Sequence, residues 1–150
     1  DNAAYLTEKL KGCPGITPQK LYPGTKSGSF YLYAMSFHKE HFNGIDRARF
    51  LKALDAEGVG LSPYIERGLH REPWVDHILQ SRSYRKMYSE QRLKQFKEEM
   101  SCPKCDQVCQ EMAMIWASGP LLAGRQDMDD IADAILKVYE NRDKLAAMPA

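Results

Sequence analysis

Phe30-Tyr31-Leu32-Tyr33-Ala34-Met35-Ser36-Phe37 is the stretch on which the fold turns. It is apolar on both of its alternating faces, and a strand without a polar face reads as a central strand covered on both sides. Immediately before it, Pro23-Gly24-Thr25-Lys26-Ser27-Gly28-Ser29 is a run of turn formers. A second strand is expected upstream of that run, at Ile16–Tyr22. Further upstream, Ala3, Leu6 and Leu10 share one face at three- and four-residue spacing, which predicts an opening helix. Gly12 is expected to close that helix in the left-handed conformation, and Pro14 forbids its resumption.

Downstream of the central strand, Asp46 reads as a helix N-cap, with Ile45 and Phe50 placed as a hydrophobic staple. The helix is expected to run to Glu57, to bury Phe50, Leu51 and Leu54, and to end at Gly58. Val59-Gly60-Leu61-Ser62 reads as a short strand opening into an irregular stretch, Pro63–Pro73. A short helix over Trp74–Leu79 and a charged helical region over Ser81–Met100 follow. Ser101 and Pro103 mark another helix start. Ala113-Met114-Ile115-Trp116-Ala117 is a further strand, broken by Gly119-Pro120. A last helix is expected from near Asp127, with Met128, Ile131, Ile135 and Val138 as its buried stripe. Its acidic residues, Asp127, Asp129 and Asp130, lie in the first turn, and Lys137, Arg142 and Lys144 lie toward the end, as the helix dipole favours. Strands and helices alternate, so the expected class is α/β or α+β, with three to four strands and helices packed on the sheet.

Composition bounds the function. The chain has 150 residues, 43% of them hydrophobic and 27% charged, with a formal net charge of +1. This composition suits one folded core, and near-neutrality argues against nucleic acid or an anionic membrane as partner. The longest apolar runs fall short of the roughly 20 residues of a membrane helix. The first residues carry no secretory-signal pattern, and the four cysteines are expected to be reduced thiols of a cytoplasmic protein. A chain that begins without methionine and already in helical periodicity reads as a section of a longer protein.

Four clusters could carry chemistry. Cys102-Pro-Lys-Cys105-Asp-Gln-Val-Cys109 contains half of a tetrahedral zinc site, and a helix would bring its thiols to one face. No second pair completes a metal site, so small apolar packing residues or a redox role are the other readings. Arg82, Arg85, Lys86, Arg92, Lys94 and Lys97, interleaved with Tyr84, Tyr88 and Phe96, could track a nucleic acid. Glu90, Glu98 and Glu99 interrupt that run and favour a solvated helix face instead. His38 and His41 follow the central strand, where histidines are usually exposed. Ser62–Trp74 differs, because Ser62, Tyr64, Arg67, His70 and Arg71 crowd hydroxyl, phenol, guanidinium and imidazole groups into a loop leaving a strand end. Such a loop either converges on a ligand or is simply surface. No nucleophile-plus-base pair, Gly-rich phosphate loop or paired-carboxylate motif is recognisable.

The order of segments carries a resemblance. Asn2–Leu10, Pro14-Gly-Ile16, the strand with Tyr33, Ala53-Leu-Asp-Ala-Glu-Gly-Val59, Tyr64, Leu69-His70-x-x-Pro73, and Leu121-Leu122 before Asp127–Ile135 together resemble the C-terminal part of the DegT/DnrJ/StrS aminotransferases. The likeness is nearest to the branch with inosose aminotransferases and aminohydroxybenzoate synthases. What the resemblance implies is the small C-terminal domain of a fold type I, pyridoxal-phosphate-dependent sugar aminotransferase, spanning residues 1–150 as a single domain. Such an enzyme moves an amino group from glutamate or glutamine to a keto sugar or keto cyclitol, in cell-surface polysaccharide or secondary-metabolite biosynthesis. The family's Schiff-base lysine matches none of the lysines here. No catalytic, cofactor-binding or metal-binding residue is therefore expected in this chain, which alone should be inactive and hold no pyridoxal phosphate. Tyr64 and His70 fall where the family places aromatic or histidine side chains on its substrate-facing loop, Ser62 begins that loop, and Arg67 lies in a stretch longer than the family's common pattern; these four are the expected substrate-binding residues. A homodimer is implied for the complete protein. A stand-alone, non-catalytic binding domain of the same fold is the other reading.

Overall fold

The computed structural model describes residues 1–117 and 119–149. The chain divides into two compact units, Asp1–Tyr64 with Glu111–Ala150, and Ile65–Gln110.

The first unit contains a three-stranded antiparallel sheet in the order β1 (Ile16–Pro18), β2 (Leu32–Phe37), β3 (Ala113–Ala117). The expected central strand is central, with Tyr33 opposite Trp116 and Ile16 opposite Phe37. Its burial is one-sided, contrary to expectation. Tyr33, Met35 and Phe37 are buried, whereas Leu32, Ala34 and Ser36 are only partly so. The second face offers one large apolar side chain, so the core gathers on the first. β1 is also shorter than expected. Pro18 has no N–H to extend the ladder, and pairing continues through Gln19, whose N–H donates to the Ala34 carbonyl at 2.9 Å. The Gln19 side-chain oxygen in turn accepts the Ala34 N–H at 3.0 Å.

Helices α1 (Asn2–Leu10), α2 (Arg47–Ala56) and α7 (Arg125–Glu140) supply the remainder of this core, followed by the short α8 (Arg142–Ala147). The α1 stripe is Ala3, Leu6 and Leu10, and that of α7 is Met128, Ile131, Ala132, Ala134, Ile135 and Val138. Phe37, Phe42 and Phe50 form a ring cluster with centroids 4.8–4.9 Å apart. Asp46 caps α2 as expected, its carboxylate accepting the Arg49 N–H at 2.7 Å. Gly58 ends that region at φ 83°. Gly12 does not play the expected part, because right-handed turns through Lys11 carry the chain on, and the left-handed residue is Gly15, at φ 83°. Gly15 is also required sterically: a Cβ there would lie 2.6 Å from His41 Cβ and 2.8 Å from Phe42 Cε2. α7 begins before Asp127, whose carboxylate reaches back to accept the Gly124 N–H at 2.7 Å. Val59–Ser62 reduces to a single bridge, Ser62 to Ile115.

The second unit is helical: α3 (Pro73–Gln80), α4 (Arg82–Met87), α5 (Glu90–Glu99) and α6 (Pro103–Gln107), the last running into a wider π turn at Val108–Met112. The charged region is two helices because Ser81 and Ser89 each cap a new start, accepting N–H groups of Tyr84 and Arg92. Among the described residues no helix is long and apolar enough to cross a membrane.

Candidate functional site

Ser62 is positioned by β3. Its N–H donates to the Ile115 carbonyl at 3.2 Å and its carbonyl accepts the Ile115 N–H at 2.9 Å. The Trp116 indole N–H secures the chain two residues earlier by donating to the Gly60 carbonyl at 2.7 Å. The chain thus leaves the sheet at a fixed point. Tyr64, two residues on, is 57% exposed, which suits a side chain offered to a ligand more than one packed in a core.

Arg67 and His70 lie in the second unit. Arg67 is exposed. His70 stands in a single 3-10 turn, Leu69–Arg71, and its ring is largely buried. Asp106 holds this turn from α6. Its carboxylate accepts the Arg71 Nε–H at 2.9 Å and an Nη2–H at 2.6 Å, a bidentate pair. The Arg71 guanidinium beside Asp106 holds its carboxyl below the usual carboxylate range, and the carboxylate raises Arg71 in return. His70 Nε2 is 3.0 Å from the same carboxylate, an ion pair only when the ring is protonated. This buried nitrogen has no hydrogen-bond partner among the described residues. Gly68 completes the cluster. A Cβ on it would lie 2.5 Å from Cys105 Sγ and 2.7 Å from His70 Cε1, so both side chains press on one α-carbon.

Of the expected substrate-binding residues, the structure therefore places Ser62 and Tyr64 in the first unit and Arg67 and His70 in the second. The reading from sequence missed Asp106, the residue that organises the His70 turn. It stands 35 residues from Arg71, and no local spacing announces the pair.

The other clusters resolve plainly. Among the described residues no group of three or more His, Cys, Asp or Glu side chains could hold a metal ion. The three cysteines do not lie on one helix: Cys102 precedes α6, while Cys105 on α6 is exposed and Cys109, in the turn that follows, is buried. His38 is close to Thr17 Oγ1 at 3.3 Å and 3.7 Å from Glu40. Two of the basic side chains of α5 pair with acids, Arg92 with Glu99 at 3.1 Å and Lys97 with Asp76 at 2.6 Å.

A pyridoxal phosphate site needs a lysine amine held in a closed polar pocket. Among the described residues no charged side chain is buried, and Lys9, Lys11, Lys39, Lys97 and Lys137 lie on the surface in ion pairs. These residues do not fit the cofactor by themselves.

Comparison with known proteins places the chain. The sequence profile of the DegT/DnrJ/EryC1/StrS aminotransferase family matches residues 1–115. L-glutamine:2-deoxy-scyllo-inosose aminotransferase of Streptoalloteichus tenebrarius is 27% identical over 150 residues, which cover 96% of this chain and 33% of that protein. The chain thus spans about a third of the length of this relative. With more than half of its residues matched by the family profile, the chain belongs to the DegT/DnrJ/EryC1/StrS aminotransferase family.

Proposed function

We propose that this chain is the C-terminal small domain of a pyridoxal-phosphate-dependent aminotransferase that carries an amino group from glutamate or glutamine to a keto sugar or keto cyclitol. The observation that carries the reading is the family match over residues 1–115. The relative named for glutamine and an inosose supports the amino donor and the acceptor class. The cofactor supplies the electron sink for amino-group transfer when bound. Its lysine is contributed by a part of the protein other than these residues, and this chain alone is inactive. The complete enzyme is a cytoplasmic homodimer.

Within that reading, this chain contributes acceptor recognition. Tyr64 and Ser62 present hydroxyl groups from a point fixed by β3. Arg67 presents a guanidinium group, and His70 an imidazole in a turn held by Asp106 and Arg71. Hydroxyl-rich acceptors are recognised by such hydrogen-bonding groups, and a site built for them rejects analogues that leave its polar groups unpaired.

The two half-reactions separate this role from a structural one. In the complete protein, Tyr64→Phe and His70→Gln should raise KM for the keto acceptor while leaving the rate of amino-group uptake from glutamine near the parent value. Equal loss in both half-reactions would refute the assignment.

A further inference from the structure

Cys105 and Cys109 are in contact, their sulfur atoms 3.9 Å apart. We propose that they form a reversible redox site that closes to a disulfide on exposure to a peroxide.

Geometry favours a labile bond. Four residues apart on a regular α-helix, Cβ atoms stand about 5–6 Å from each other, whereas a disulfide holds them at about 3.5–4.5 Å. A straight helix therefore resists closure. Here α6 ends at Gln107 and the chain widens into the π turn at Val108–Met112, with Cys105 on one side of that change and Cys109 inside it. Irregular winding of this kind recurs at functional sites. It supplies the adjustment that a regular helix lacks, and the residual strain keeps the bond easily reduced.

Exposure sets the order of events. Cys105 is exposed and Cys109 is buried, so the peroxide meets Cys105 first. The Cys105 thiolate attacks one peroxide oxygen, the O–O bond breaks, and the second oxygen leaves as hydroxide and is protonated to water. Cys105 is then a sulfenic acid. The Cys109 sulfur attacks it, the S–O bond breaks, and a second water leaves. Two thiols have lost two electrons and two protons, and one peroxide has become two waters. Cys13, the cysteine of the first unit, is unsuited to this chemistry, because burial pushes its thiol up to about 11.

Closure has a structural consequence. Cys105 Sγ packs on Gly68, against which the His70 ring also rests. Drawing the sulfur toward Cys109 removes one wall of that contact, and the redox state is felt at the His70 turn.

The test uses the complete protein, treated with hydrogen peroxide, alkylated with N-ethylmaleimide and digested with trypsin. Cleavage after Lys104 and Arg125 isolates a peptide holding Cys105 and Cys109 together and leaves Cys102 on another. The expected result is loss of two hydrogens from the Cys105–Arg125 peptide, with neither of its cysteines alkylated, reversed by dithiothreitol. Cys109→Ser should abolish that loss and leave Cys105 as a sulfenic acid trapped by dimedone. A crosslink between the two peptides, a persistent sulfenic acid in the parent protein, or full alkylation of both cysteines after peroxide would overturn the proposal.

Discussion

Two glycines of identical backbone conformation separate strain from crowding. Gly15 and Gly58 both sit at φ 83°. Alanine at either position costs about 1–2 kcal/mol for the left-handed conformation, partly offset by about 0.4–1 kcal/mol from the stiffer unfolded chain. At Gly58 nothing lies within 4 Å of the new methyl group. Gly58→Ala should therefore cost about 1 kcal/mol. At Gly15 the methyl group would meet His41 Cβ at 2.6 Å, Phe42 Cε2 at 2.8 Å and the His38 carbonyl at 3.2 Å. Phe42 is fully buried within the Phe37–Phe50 cluster and has nowhere to go. Overpacking of this kind adds about 1–3 kcal/mol, for a total of about 2–4 kcal/mol. Paired thermal and urea unfolding of the two variants measures the gap, which corresponds to roughly 2–12 °C in Tm for a domain of this size. The His38 N–H, which donates to the Gly15 carbonyl at 2.8 Å, should lose hydrogen-exchange protection in Gly15→Ala alone. Equal destabilisation of the two variants would refute the close packing of Gly15 on Phe42.

Further outcomes follow from the same geometry. Asp46→Ala removes the α2 cap and should destabilise by about 1 kcal/mol, with Asp46→Asn nearly neutral, in urea titrations. Arg71 holds the Asp106 carboxyl below its ordinary 3.8, and Lys9 does the same for Asp129. Both groups therefore contribute stability that is fully present above 3.8 and lost as pH falls through the lowered folded values. Asp106→Asn should flatten its part of the acid limb of a stability–pH profile, and an unchanged limb would contradict the pairing. Gly68→Ala, at an ordinary φ of −72°, must push aside Cys105 or His70. It should raise acceptor KM and change the alkylation rate of Cys105 at unchanged far-UV circular dichroism.

Local signals were legible wherever one element carried its own evidence. The Met128–Ile131–Ile135–Val138 stripe, the Asp46 cap and the Ala113–Ala117 strand each depend on neighbours in sequence, and each stands where the pattern put it. Features set by distant partners were not legible. Gly12 carries the same local stop signal that Gly15 does, and the choice between them depends on the approach of Phe42 and on the Gly15–His38 hydrogen bond. One-sided burial of β2 depends on which face the helices cover. Asp106 looked like part of a cysteine motif, and its pairing with Arg71 across 35 residues leaves no periodic trace. Ser62, Tyr64, Arg67 and His70 were legible as a polar loop, but their division between two units was not.

The most direct test is amino transfer by the complete protein, freed of cofactor and then restored with pyridoxal phosphate, using glutamine as donor and a keto cyclitol as acceptor. Formation of the amino cyclitol only when the cofactor is present is the predicted result. A protein that binds the cofactor yet transfers no amino group to any keto sugar or keto cyclitol would contradict the proposed function.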